Sequence, residues 1–242
     1  MIERIGILYP GHAAESDFAV LNERLAGTAS FEVVHTSIGE DAHREDALLD
    51  MGSRERLLEG ARRLPRGVSA VVWACTSGSF IYGWEGAQAQ AAGVQDAIGV
   101  PVSSTSLAFV GAARALNLRR VAVAATYPED ITRRFEAFLR DAGLELVAAS
   151  SRGIVTATEV GTLSPDDAEA LVAAVDGSDA DAVLVPDTAL HTIAALEALE
   201  AAAGKPVLTA NQVSAWEGLR LAGVGAAPHG LGHLFAAHAT RS

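Results

Sequence analysis

Short apolar runs alternate with longer amphipathic stretches along most of the chain. The apolar runs are rich in β-branched residues, are bounded by Gly, Pro, Ser or Asp, and have the length of buried strands. They predict eight strands, at Arg4–Tyr9, Phe31–Thr36, Val68–Ala74, Val100–Ser103, Arg120–Ala124, Glu145–Ala149, Ala182–Val185 and Pro206–Thr209. The intervening stretches predict eight helices, at Asp17–Leu25, Arg54–Leu64, Gln88–Asp96, Leu107–Leu116, Pro128–Ala142, Pro165–Val175, Leu190–Ala203 and Val213–Leu221. This alternation indicates an α/β fold in which helices cover both faces of parallel sheets.

A weak internal repeat relates two halves of the chain. The tetrapeptide Gly-Val-Pro-Val at 99–102 recurs as Gly-Lys-Pro-Val at 204–207, and the segment 71–76 resembles the segment 183–188. Because the two correspondences agree in order and nearly in spacing, a duplication is favoured over the general similarity of βαβ units. The sequence therefore predicts two pseudosymmetric, doubly wound parallel-sheet lobes with the site in the cleft between them. We assign residues 1–104 and 215–242 to lobe one and residues 105–214 to lobe two.

Composition narrows the class of protein further. The 242 residues are half apolar and carry a formal charge of −12, which excludes intrinsic disorder and argues against nucleic acid or an anionic membrane as a partner. The apolar runs are too short to span a bilayer, and the first residues lack the pattern of a secretory signal. We expect a cytoplasmic protein.

The single cysteine lies in a segment that could bind an anion. Cys75 belongs to the sequence Ala-Cys-Thr-Ser-Gly-Ser at 74–79, which follows a predicted strand and enters a predicted helical turn. Backbone N–H groups at such a turn favour the thiolate, and the adjacent hydroxyl groups can donate to a carboxylate. A buried structural cysteine remains the alternative. No His/Cys cluster has the spacing of a zinc site, so no metal is predicted.

Asp187 is the residue that the repeat pairs with Cys75. Both residues follow strands at equivalent positions, so two similar lobes would present them to each other across a cleft. Desolvated in a closed cleft beside a substrate carboxylate, Asp187 would have a raised pKa and act as a general acid. Ionised, it would repel a second carboxylate and suit a substrate with an ammonium group or an amide N–H. Asp187 could also be the N-cap of the following helix, a role that is compatible with catalysis. His12 follows the first strand, where Gly11 permits a tight turn, and is a candidate ligand contact.

The Cys75 segment resembles the first-half motif of the aspartate/glutamate racemase superfamily. The similarity is greatest to the branch that contains maleate cis–trans isomerases and arylmalonate decarboxylases. It extends over most of the chain, through residues 5–10, 99–105, 125–127, 181–192 and 204–223. The resemblance implies two pseudosymmetric α/β lobes, no cofactor, and acid–base or thiol chemistry beside a small carboxylate.

The resemblance also assigns roles to individual residues. Cys75 corresponds to the cysteine that is the thiolate nucleophile of the isomerases. The residues that correspond to the family's substrate-carboxylate ligands are Thr76, Ser77 and Tyr127. We also predict that Thr188, which follows Asp187, binds the substrate. The second-half cysteine of the family is replaced here by Asp187. The decarboxylases keep that second cysteine and have glycine in the first half, which is the reverse of this chain. The decarboxylase reaction is therefore disfavoured. The isomerase sequence Pro-Ser-Ser-Asn is replaced by Pro-Gly-His-Ala at 10–13.

These observations together predict a cofactor-independent isomerase, a cis–trans isomerase or a racemase, that acts on a small carboxylic acid through the Cys75 thiolate. One alternative is an arylmalonate-type decarboxylase. The other is a catalytically degenerate protein that binds a small carboxylate. The small carboxylate is the predicted partner, and the sequence leaves a homo-oligomer open.

Overall fold

Eight strands form the framework of the described part of the chain. The computed structural model describes residues 2–25, 27–225 and 228–239. The strands are β1 Glu3–Pro10, β2 Ala29–Thr36, β3 Ala70–Trp73, β4 Val102–Ser104, β5 Arg120–Ala125, β6 Glu145–Ser151, β7 Ala182–Val185 and β8 Val207–Thr209. Every predicted strand is present, with ends within two residues of the prediction.

The strands form two sheets with the same topology. One sheet has the order β2-β1-β3-β4 and the other has the order β6-β5-β7-β8, and every described pair of neighbours is parallel. The helices before β4 and β8 both end at a glycine in the left-handed region, Gly99 with φ 75° and Gly204 with φ 64°. The predicted α/β fold with two similar parallel-sheet halves is confirmed.

In the described residues, twelve helices connect and cover the strands. Those that follow the strands of the first sheet are α1 Ser16–Arg24, α2 Glu45–Met51, α3 Arg54–Ala61, α4 Ser77–Phe80, α5 Gly83–Ile98 and α6 Thr105–Ala115. Those later in the chain are α7 Glu129–Asp141, α8 Ala157–Val160, α9 Pro165–Ala173, α10 Leu196–Ala203, α11 Ala210–Leu221 and α12 Gly232–Ala239. Helices α2, α8 and α12 were not predicted.

The predicted start of the helix at Leu190 is wrong, because α10 begins only at Leu196. The intervening backbone is held by a side chain from a distant part of the chain. Asp17 on α1 accepts hydrogen bonds from the N–H groups of Thr192, at 3.0 Å, and Ile193, at 3.3 Å. These N–H groups are therefore withdrawn from helix formation by a tertiary contact.

Helix packing joins the two halves of the molecule. The central strands β3, β5 and β7 are almost entirely buried, and β1 is buried over its middle residues. Helix α11 follows β8 but packs on β3 and β4 of the other sheet and against α6. The lobe boundaries that we assigned from the sequence stay a prediction. Within the described residues, no helix combines the length and apolar character needed to cross a membrane.

Candidate active site

A cavity of about 90 Å³ lies beyond the carboxyl ends of β1, β3 and β7. Cys75 and Asp187 both line it, and each stands two residues after its strand, β3 or β7. The equivalent strand ends of the two halves therefore contribute a thiol and a carboxyl group to one enclosure. Its wall also includes the apolar side chains of Ile38, Leu48 and Met51.

The Cys75 thiol is almost completely buried, with 3% exposure. The Gly78 N–H donates to Sγ at 3.3 Å, and the Ser77 hydroxyl lies 3.9 Å from Sγ. Burial nevertheless raises the pKa of Cys75 to about 12, and the nearby Asp187 carboxylate raises it further. The hydrogen bonds from Gly78 and Ser77 lower the pKa, but by less than burial raises it. The expectation that backbone N–H groups favour the thiolate is therefore corrected, because desolvation of the charged form dominates.

Both carboxyl oxygens of Asp187 accept hydrogen bonds. The Ala189 N–H donates to Oδ1 at 2.9 Å, and the Thr126 hydroxyl donates to Oδ2. Asp187 thus stabilises a turn of 188–190, although no helix follows at that point. These two contacts fix the orientation of the carboxyl group in the cavity wall.

The four predicted carboxylate-binding residues separate into two pairs. Ser77 and Thr188 line the cavity, whereas Thr76 and Tyr127 lie behind the described wall and are 0% and 1% exposed. The Tyr127 hydroxyl donates to the Pro186 carbonyl at 2.7 Å. The Thr76 hydroxyl has no hydrogen bond of good geometry within the described chain, although it lies beside the Tyr127 hydroxyl.

His12 lies at the mouth of the cavity rather than deep inside it. Its side chain is 73% exposed, its Nδ1 lies 3.0 Å from Glu15 Oε1, and its ring stacks on His35 with centroids 3.8 Å apart. The ligand atoms of His12, Glu15 and His35 all lie within 4.8 Å of one another. Sequence spacing did not predict this cluster, which is the one group in the described chain that could hold a metal ion.

Tyr9, Asp41 and His43 line the cavity but were not predicted from the sequence. Tyr9 is the next-to-last residue of β1, and its hydroxyl donates to the Thr188 carbonyl at 2.7 Å and accepts from the Ala14 N–H at 3.0 Å. Its position near the carboxyl end of a predicted strand could have identified Tyr9 as a cavity residue. Asp41 and His43 lie in a connection without a recognisable motif.

The segment 41–45 closes the cavity by bonding to the other half of the chain. Asp41 accepts hydrogen bonds from the Ala157 N–H at 2.8 Å and from both the N–H and the hydroxyl of Thr158, at 3.1 and 2.6 Å. The His43 N–H donates to the Val155 carbonyl at 2.7 Å, and Nδ1 donates to the Ile154 carbonyl at 2.9 Å. We call residues 41–45 the closing segment.

Replacing Asp41 by alanine is expected to open the cavity, because three hydrogen bonds to a charged group are lost together. We expect the KM of any substrate to rise several-fold and alkylation of Cys75 to accelerate. Steady-state kinetics and mass-spectrometric labelling would measure the two effects. Asp46→Ala is the matched control, because Asp46 lies next to the segment and its side chain bonds to nearby groups, Arg44 and the Ala47 N–H, rather than to the other half of the chain. Equal behaviour of the two variants would contradict a closing role.

The raised pKa of Cys75 predicts slow alkylation in the folded protein. A free thiol has a pKa of about 8.5, so at pH 8 the folded chain should react with iodoacetamide roughly 10³-fold more slowly than the urea-unfolded chain. Because the pKa lies near 12, the rate should rise about tenfold per pH unit, without a plateau below pH 10. A plateau with an apparent pKa below 8.5 would refute this and restore the thiolate expected from the sequence.

The fold and the cavity define a two-lobed α/β protein in which similar halves contribute a thiol and a carboxyl group to one cavity. Residues 51–235 match the family model of arylmalonate decarboxylase. The chain is also 35% identical, over 188 residues, to arylmalonate decarboxylase from Bordetella bronchiseptica, with 75% of this chain and 77% of the relative covered. The chain therefore belongs to the arylmalonate decarboxylase family, and its predicted place in the aspartate/glutamate racemase superfamily is confirmed.

Two solved structures share the whole fold of this chain. A liganded double variant of arylmalonate decarboxylase, in which a glycine is replaced by cysteine and a cysteine by serine, is 28% identical with a TM-score of 0.84, covering 96% of this chain and 98% of that one. A maleate isomerase variant from Pseudomonas putida S16 with maleate has a TM-score of 0.87 at 21% identity and covers 98% of both chains. The second likeness establishes the fold alone.

Proposed function

We propose that the protein is a cofactor-independent isomerase of the racemase type that exchanges a proton at the carbon next to a small carboxylate. The observation that carries the proposal is the placement of Cys75 and Asp187 in one cavity, at equivalent strand ends of the two halves. A carbon acid held between an acid and a base can lose a proton on one face and gain one on the other.

The protonation state of Cys75 decides whether the thiol donates or accepts a proton in each step of the proposed reaction. Since burial raises the pKa of this thiol to about 12, the resting thiol is an acid and not a nucleophile. The Asp187 carboxylate accepts the proton as the C–H bond breaks, and the electron pair moves into the substrate carboxylate to form an enediolate. The Cys75 S–H then gives its proton to the opposite face, and the reverse reaction exchanges the two roles. Cis–trans isomerisation would begin with thiolate addition, which the same burial disfavours.

Donors for the enediolate oxygens line the cavity. The side chains of Ser77 and Thr188 line the cavity and carry hydroxyl groups that can donate to a substrate carboxylate. Such donors would stabilise the charge that develops on the enediolate.

The size of the cavity favours a compact substrate. Its volume of about 90 Å³ is smaller than the roughly 150 Å³ of a cavity that holds one benzene ring. The enclosure therefore suits an aliphatic acid of a few carbons in the closed arrangement of residues 41–45. An aryl acid would require the apolar wall at Ile38, Leu48 and Met51 to move outward.

Arylmalonate-type decarboxylation is the second candidate, because the family model and the curated relative both carry that name. This reaction needs only one acid: loss of CO₂ leaves an enediolate that the Cys75 thiol could protonate. Asp187 would then have no proton to exchange. The third candidate, a protein that binds a small carboxylate without turnover, requires neither group to react.

One set of incubations in deuterated water separates the three candidates. Single enantiomers of short 2-substituted carboxylic acids, maleate and phenylmalonate would each be incubated with the protein and followed by NMR and chiral chromatography. Deuterium incorporation with loss of optical purity supports the racemase type, and release of CO₂ from phenylmalonate supports the decarboxylase. Saturable binding without deuterium incorporation or CO₂ release would overturn both enzymatic candidates.

A further inference from the structure

Two imidazole rings and one carboxylate converge beside the cavity: His12 lines the cavity, whereas Glu15 and His35 line a neighbouring surface pocket. They come from three elements: His12 from the loop after β1, Glu15 from the residue before α1, and His35 from β2. Glu15 Oε1 lies 3.0 Å from His12 Nδ1 and 4.0 Å from His35 Nε2. The proposed isomerase chemistry uses none of these side chains.

Neighbouring backbone groups orient two of the three side chains. His35 Nδ1 lies 2.5 Å from the Gly11 carbonyl oxygen, which can only accept, so Nδ1 carries the proton. In the neutral ring the lone pair is then on Nε2, the atom that faces Glu15. The second Glu15 oxygen, Oε2, accepts the Ala13 N–H at 2.8 Å, which leaves Oε1 directed at the two rings. Metal-binding histidines and carboxylates characteristically have such outer partners.

We propose that His12 Nδ1, Glu15 Oε1 and His35 Nε2 form a binding site for a divalent transition-metal ion of the zinc type. Two imidazole nitrogens and one carboxylate oxygen are a ligand set that suits zinc, and imidazole is not the preferred ligand of Mg²⁺ or Ca²⁺. Three protein ligands leave the fourth tetrahedral position open for water or an external anion.

The distances are close to those of a tetrahedral site. Ligands about 2.0–2.1 Å from a zinc ion are roughly 3.4 Å apart, and the observed separations are 3.0 and 4.0 Å, with all three atoms within 4.8 Å. Because the His12 side chain is 73% exposed, it can rotate into place without disturbing the core. Binding would displace the proton that His12 shares with Glu15.

The site would tie the loop at 10–13 to β2. That loop lines the cavity, so a bound ion would hold one side of the cavity mouth in place. His191 and Asp17 lie nearby but pair with each other, with Nδ1 and Oδ1 3.6 Å apart, and they are not members of the cluster.

Titration calorimetry with zinc sulfate, on a chain without an affinity tag, tests the proposal directly. We expect one equivalent of Zn²⁺ per chain and at least a tenfold weaker affinity in His35→Gln and in His12→Gln. His191→Gln is the matched control, a nearby histidine outside the cluster, and should bind zinc as the unmodified chain does. Substituted Co²⁺ should give the visible absorption of a four-coordinate site in the unmodified chain and in His191→Gln only.

Two results would overturn the proposal: the absence of saturable zinc binding, or binding that His35→Gln and His12→Gln leave unchanged. Far-ultraviolet circular dichroism of each variant establishes that it is folded. Glu15→Gln provides a further variant that removes the charge but keeps the size, and it should also bind zinc at least tenfold more weakly. Because the readout is metal binding, the result is independent of which reaction the cavity performs.

Discussion

Cys75→Ser should reduce turnover by about 10²–10⁴-fold, the usual contribution of a positioned acid or base, while the protein remains folded. Serine is close in size to cysteine and can still accept the Gly78 N–H that now bonds to Sγ. Its hydroxyl is a much weaker acid than the thiol, so protonation of the enediolate should fail. Deuterium exchange into substrate measures the loss, and thermal unfolding checks the fold.

The result separates a catalytic thiol from a packing one. A buried cysteine that only fills space would leave the exchange rate of the serine variant nearly unchanged. Cys75→Ala provides a second comparison, because it removes the hydrogen-bonding group as well as the acid. Full exchange activity in either variant would disprove a catalytic role for Cys75.

Asp187→Asn is expected to abolish racemisation while changing the free energy of unfolding by less than about 1 kcal/mol. Asparagine keeps an oxygen that can accept the Ala189 N–H, and the Thr126 hydroxyl can turn to accept from the new amide. The amide cannot take a proton from carbon, so exchange should fall by 10²-fold or more. Chiral analysis of recovered substrate measures the effect.

The same variant distinguishes the two enzymatic candidates. Decarboxylation by Cys75 alone would survive Asp187→Asn, whereas racemisation would not. Asp181→Asn is the matched control, because Asp181 immediately precedes β7, at the end of the strand away from the cavity, and bonds to the N–H groups of Arg119 and Arg120. An Asp187→Asn variant that racemises substrate at the normal rate would exclude Asp187 as the base.

Local sequence signals correctly predicted those helices and strands that have a clear hydrophobic period or a capping sequence. Helix α9 begins at Pro165, the residue predicted for its start, and Ser164 and Asp167 form a capping box there. Helix α2 was missed because its seven residues are too few to establish a period. The start of α10 was predicted six residues early, because Asp17 binds the backbone N–H groups of Thr192 and Ile193 from another part of the chain.

The sequence by itself determined the α/β class, the eight strands, the repeat and the paired positions of Cys75 and Asp187. Strand identity follows from short apolar runs, and equivalent positions follow from the spacing of the repeat, so neither depends on contacts between distant residues. Only the tertiary structure decided the burial of the thiol, the closing segment and the meeting of His12, Glu15 and His35. Burial reversed the expected effect on the pKa of Cys75, because desolvation depends on everything packed around a group and not on its neighbours in sequence.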